Sequence, residues 1–168
     1  MIYLYGLIKP QTPMTATEQL FLNIREGKAA DVREQLTADP GLLEARDQRG
    51  STPLILATYL GDLPTTKVLV EAGAPLEATD AAGNTALMGV CFKGFTEVAA
   101  YLGDQGANVN ARGDHGSALH FATMFNKADI VDMLLSRGAD ASAKDGRGMT
   151  AADHARQRGL TELAERLA

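Results

Sequence analysis

Asp47-Gln-Arg-Gly-Ser-Thr-Pro-Leu54 decides the fold, because the chain returns to it three more times. The later versions are Asp80-Ala-Ala-Gly-Asn-Thr-Ala-Leu87, the abbreviated His115-Gly-Ser-Ala-Leu119, and Asp145-Gly-Arg-Gly-Met-Thr-Ala-Ala152. The last slot falls at 54, 87, 119 and 152, in steps of 33, 32 and 33. A second marker runs in phase with it: Gly73-Ala74, Gly106-Ala107 and Gly138-Ala139. Two markers on one period of this length imply a stacked array whose units bury their apolar faces only against neighbours. Such an array works by presenting a surface.

Each unit reads the same way. In the unit from Asp47 to Thr79, Asp47-Gln-Arg-Gly50 is a turn signal. Thr52-Pro53 then opens a helix, Thr as cap and Pro at the first helical position. Leu54-Ile-Leu-Ala-Thr-Tyr-Leu60 continues it and Gly61 stops it. Pro64 falls in the first turn of a second helix that Gly73 ends, and Ala74–Thr79 leads out. The later units predict helices near Thr85–Lys93, Glu97–Gln105, Ser117–Asn126 and Asp129–Arg137. The first unit has helices near Thr17–Glu26 and Ala30–Ala38, no hairpin of its own, and an extra residue near Asp39-Pro40-Gly41. The last stops part-way through its second helix, with Glu162, Glu165 and Arg166 on its outer face. The expected division is an apolar N-terminal arm or appendage over 1–16 and a repeat domain over 17–168. Its units are approximately 17–46, 47–79, 80–112, 113–144 and 145–168.

Composition narrows the function. With 45% apolar and 22% charged residues, the chain falls among globular rather than disordered proteins. A net charge of −5 argues against nucleic acid as the main partner, because phosphate binding needs a concentrated basic footprint. The single cysteine, Cys91, forms no internal disulfide, so a reducing compartment, the cytoplasm, is expected. The opening Met1–Ile8 run is apolar, but it has no basic flank and Lys9-Pro10 end it. A signal peptide or membrane span is not expected there.

Taken together, the pieces resemble the ankyrin-repeat family. Thr52-Pro53-Leu54 with Ala57 and Leu119-His120-Phe121-Ala122 carry the helix-opening motif. Gly106-Ala107-Asn108-Val109-Asn110-Ala111 and Gly138-Ala139-Asp140-Ala141-Ser142-Ala143 carry the exit. The resemblance implies an all-α solenoid of helix–turn–helix units joined by short hairpin loops, four to five repeats with caps. It departs from the family pattern in three places. The turn at Gly113–Gly116 lacks a residue, which should reshape that tip. Gly89 and Val90 stand where the family prefers larger and smaller residues. The motif histidine occurs once, as His120, where the resemblance implies a structural role.

On that fold, two positions per repeat just before the mid-repeat glycine point into a concave groove. They read Arg25-Glu26, Tyr59-Leu60, Phe92-Lys93, Met124-Phe125 and Gln157-Arg158. Aromatic and Met side chains are common interface anchors, and the flanking polar residues suit a rim. The competing reading is that these rings fill gaps between helices. Hairpin-tip residues Arg49, Asn84, Asp114 and Arg147 form a second candidate surface.

Catalysis finds no constellation. Asp153 and His154 are adjacent on a helix and face different ways, so they do not make a base with its orienter. Asp114-His115 has no second ligand at metal spacing, and Cys91 belongs to an apolar helix. The expectation is a non-enzymatic, cofactor-free and metal-free module that binds a protein partner, with neither nucleic acid nor membrane as target. It is expected to be monomeric. The alternatives are a self-associating protein joined through residues 2–8 and, more remotely, a small metal-dependent or hydrolytic enzyme.

Overall fold

The computed structural model describes residues 13–168, so the apolar arm expected over 1–16, including the 2–8 segment, lies mostly outside the described residues. Among the described residues ten α-helices pair in chain order: α1 Ala16–Arg25 with α2 Ala29–Ala38, α3 Pro53–Tyr59 with α4 Leu63–Glu71, and α5 Ala86–Lys93 with α6 Thr96–Asp104. Then come α7 Ala118–Met124 with α8 Ala128–Ser136 and α9 Ala151–Gln157 with α10 Thr161–Arg166. The first helices pack α1 on α3 on α5 on α7 on α9, and the second helices stack behind them from α2 to α8. A single apolar core runs from Leu20 through Leu69, Leu102 and Leu134 to Leu167. No strand occurs among the described residues beyond isolated bridges at Thr79–Thr85 and Gly113–Gly116. The chain is the stacked helical array that its period implies.

Local chemistry sets the helix ends. The hydroxyls of Thr52, Thr85 and Thr150 accept the amides of Ile55, Met88 and Asp153, capping α3, α5 and α9. Between the two helices of each unit the chain turns through a left-handed residue. Four times this is glycine (27, 61, 94 and 159), and once it is Asn126, at φ +51°, a conformation asparagine tolerates better than most residues. The extra residue in the first unit becomes a 3₁₀ turn, Pro40–Glu44, that buries Leu42 and Leu43. In the last unit α10 finishes at Arg166, where the Leu167 amide closes the turn on Leu163; Glu162, Glu165 and Arg166 are exposed.

The shortened hairpin is reshaped as expected. Gly113 and Gly116 exchange both amide–carbonyl bonds, at 3.0 and 3.1 Å, leaving Asp114-His115 as a tight corner. A side chain at Gly113 would meet the Gly83 carbonyl oxygen at 2.7 Å, so neighbouring tips are in backbone contact there.

Helix α5 runs unbroken through Gly89, and a Cβ built there meets nothing within 4 Å. Gly89→Ala should therefore raise unfolding stability by about 0.5–1 kcal/mol, through helix propensity and a less flexible unfolded chain. Urea denaturation measures this. A loss of stability instead would mean that the space is occupied.

Candidate functional site

Helices α1, α3, α5, α7 and α9 each deliver their two predicted residues side by side along one face. In the middle units the first-slot residue of one meets the second-slot residue of the next. Lys93 Nζ lies 4.7 Å from the Tyr59 ring centre, and the Phe92 and Phe125 rings meet edge-on at 4.4 Å and 73°. The Arg158 guanidinium stands 5.8 Å from the Phe125 centroid, and Arg25 stands 6.0 Å from that of Phe21. Each such cation–ring contact is worth about 0.5–1 kcal/mol at an exposed site.

The rings touch one another and still face solvent: Tyr59 is 41% exposed, Leu60 45%, Phe92 38% and Phe125 41%. Apart from Met14, these four are all the exposed large hydrophobic side chains among the described residues. Gap filling thus accounts for only part of them. Met124 differs, being half-buried against the core. Arg25, Lys93, Gln157 and Arg158 are exposed.

The hairpin tips are built by a repeated side-chain bond. Asp47 Oδ1 accepts the amides of Arg49 and Ser51, Asp80 Oδ1 those of Ala82 and Asn84, and Asp145 Oδ1 those of Arg147 and Met149, all at 2.8–3.0 Å. Arg49, Asp114 and Arg147 project from these tips and are exposed. Asn84 does not stand free like the other three. It sits on the return limb, half-buried, with its Nδ2 donating to Asp80 Oδ2 at 3.2 Å and its Oδ1 buried without a partner among the described residues.

Two recesses join tips to helices. One of about 510 Å³ lies between α1 and the first tip, with Phe21, Arg25 and Arg49 among its lining residues. The other, about 130 Å³, lies between the last two tips and is lined by Asp114, Met124, Arg147 and His154 among others.

The buried polar groups are structural. Burial pushes the Cys91 thiol far up, so it stays protonated and is a poor nucleophile. His120 is fully buried; its Nδ1 accepts the Ser117 amide and its Nε2–H donates to the Met149 carbonyl, each at 3.2 Å. Burial lowers its pKa. Asp153 turns back to cap Thr150, so it does not orient His154, in line with the sequence reading. The residue that does was missed: His154 Nε2 donates to Asp145 Oδ2 at 2.6 Å, with both side chains almost wholly buried. No group of three or more His, Cys, Asp or Glu placed to hold a metal occurs among the described residues, nor does a helix long and apolar enough to cross a membrane.

The comparisons with known proteins agree with this architecture. A family model for three copies of the ankyrin repeat matches residues 20–113, and a single-repeat model matches residues 115–146. The chain belongs to the ankyrin-repeat family. It is similar to the Caenorhabditis elegans transient receptor potential cation channel subfamily A member 1 homolog, at 32% identity over 76% of this chain and 10% of that protein. It is similar also to the mouse ankyrin repeat and SAM domain-containing protein 6, at 33% identity over 76% of this chain and 15% of the relative. The Caenorhabditis elegans E3 ubiquitin-protein ligase hecd-1 aligns at 45% identity over 39% of this chain and 2% of its own length. The chain thus spans only a small part of the relatives it matches. Ankyrin repeats are generally non-catalytic protein–protein interaction modules.

Proposed function

We propose that the chain is a non-enzymatic binding module that grips a partner protein along the stripe Tyr59, Leu60, Phe92, Lys93, Met124 and Phe125. Arg25, Gln157 and Arg158 rim the stripe, and Arg49, Asp114 and Arg147 reach over it from the tips. One observation carries the reading: the large apolar side chains left exposed, Met14 apart, recur in equivalent slots of successive units instead of scattering. A rigid array offers these anchors already ordered, so association costs little conformational entropy. The same reading has the module act as a monomer in a reducing compartment such as the cytoplasm, where the buried thiol of Cys91 persists.

Truncation of the anchors tests the proposal. Tyr59→Ala and Phe92→Ala should each weaken a captured partner about fivefold or more, since buried aromatic anchors contribute about 1 kcal/mol upward. Both rings are substantially exposed, so melting temperature should change little. Undiminished binding by both folded variants would remove the groove assignment.

A further inference from the structure

We infer that the partner presents an acidic polypeptide segment whose carboxylates alternate with apolar side chains; the inference rests on the groove reading above. The chain carries a net charge of −5, yet the exposed charged side chains of its groove slots and tips are mostly cationic, the turn aspartates Asp47, Asp80 and Asp145 being at least half-buried and bonded to their own turn amides. Exposed there are Arg25, Arg49, Lys93, Arg147 and Arg158, against only Glu26 and Asp114. Glu26 is already paired with Lys28 at 2.6 Å. Of the five cations only Arg25 has a carboxylate within ion-pair distance, Asp47 at a loose 3.6 Å. Elsewhere Arg33 pairs with Glu71, Arg137 with Asp104, Arg156 with Asp153, and Arg166 with both Asp132 and Glu162, while Arg46, Lys67, Arg112, Lys127 and Lys144 are unpaired among the described residues. What sets the groove cations apart is that they flank exposed rings. A cation held over a ring and left without a counter-ion is placed to receive a carboxylate from outside, while the exposed ring edges receive an apolar side chain.

Aromatic rings interleaved with cations also suit single-stranded nucleic acid, but here the rings are poor stacking platforms. Lys93 covers the Tyr59 face, Arg158 lies over Phe125, and Phe92 meets Phe125 at 73°, so the rings do not offer parallel faces to successive bases. The negative charge of the whole chain opposes a long polyanion at a distance and a short acidic peptide much less.

A display library of random dodecapeptides selected on the full chain tests this. Enrichment of Asp and Glu between Leu, Phe or Trp is expected. The best peptide should bind about tenfold more weakly to Lys93→Glu/Arg158→Glu, and more weakly as salt rises. Both substituted side chains are exposed and free of ion pairs, and unchanged thermal melting would show that the variant is folded. Neutral or basic peptides that lose binding to Tyr59→Ala or Phe92→Ala would overturn the acidic partner and leave the groove standing. Peptides indifferent to Tyr59 and Phe92, or no enrichment at all, would overturn both. An oligouridylate that binds more tightly than the best peptide, through Tyr59 and Phe92, would assign nucleic acid instead and overturn the inference.

Discussion

Asp145→Ala is expected to cost the fold about 3 kcal/mol at neutral pH, the scale for removing one partner of a buried pair. The carboxylate is almost wholly buried and has several obligations at once. Its Oδ1 accepts the amides of Arg147 and Met149, and its Oδ2 accepts from His154. Removing it strands these donors, one of them on a buried ring. Asp145→Asn keeps an acceptor for the amides and should lose less, about 1–2 kcal/mol. Burial alone would raise the carboxyl, but the Met149 amide, His154 and the Arg147 amide outweigh it, bringing Asp145 down from 3.8 to about 2. An acid depressed in this way contributes its stabilisation above its unfolded pKa and loses it as pH falls through the folded one. The stability gap between wild type and Asp145→Ala should therefore narrow as pH is lowered from 5 towards 3. Denaturant titration at several pH values measures both effects. A neutral-pH cost under about 0.5 kcal/mol would contradict the buried contact, as would a gap that stays constant on acidification.

The array was legible because its period is carried by two kinds of residue in one phase, and each has a mechanical role. Thr52, Thr85 and Thr150 cap helices, while Gly73, Gly106 and Gly138 close them at positive φ. The stripe was legible for the same reason: equivalent slots in a repeat face the same way. What escaped was contact that depends on how a hairpin folds over its own helix. Asp145 and His154 are nine residues apart, and no helix or strand spacing brings such a pair together. A signal was nevertheless present. The slot nine residues after the turn aspartates holds Leu56 and Gly89 in the earlier units, and histidine only in the last. Asn84 was misleading because sequence places it in the turn, whereas the contact between neighbouring tips at Gly83 and Gly113 draws its limb inward. The 3₁₀ turn at Pro40–Glu44 announced itself only as one residue too many.

His120→Ala is expected to cost a similar amount, about 3 kcal/mol, by a different route. The histidine stands where the hairpin is shortest. Gly113 occupies the place that Asp47, Asp80 and Asp145 hold in the other turns, so this unit has no aspartate to gather its amides. His120 does part of that work, accepting the Ser117 amide and reaching across to the Met149 carbonyl of the final unit, with its ring 6.0 Å from that of His154. A backbone N–H can only donate and a carbonyl can only accept, so the partners select the neutral ring with its proton on Nε2. A second proton, on Nδ1, would oppose the Ser117 donor at a fully buried ring. Burial lowers the pKa in keeping with that, the Met149 carbonyl opposing it. A histidine depressed in the fold stabilises above its unfolded pKa, about 6.5, and loses that contribution as pH falls, because the unfolded chain takes the proton first. The gap between wild type and His120→Ala should shrink between pH 7.5 and 5, well above the window in which Asp145 acts. His120→Asn should recover part of the loss, since a short amide can accept the Ser117 N–H but cannot reach Met149. Equal stability of the Asn and Ala variants would remove the Ser117 bond from this account, and a gap flat in pH would remove the buried neutral ring.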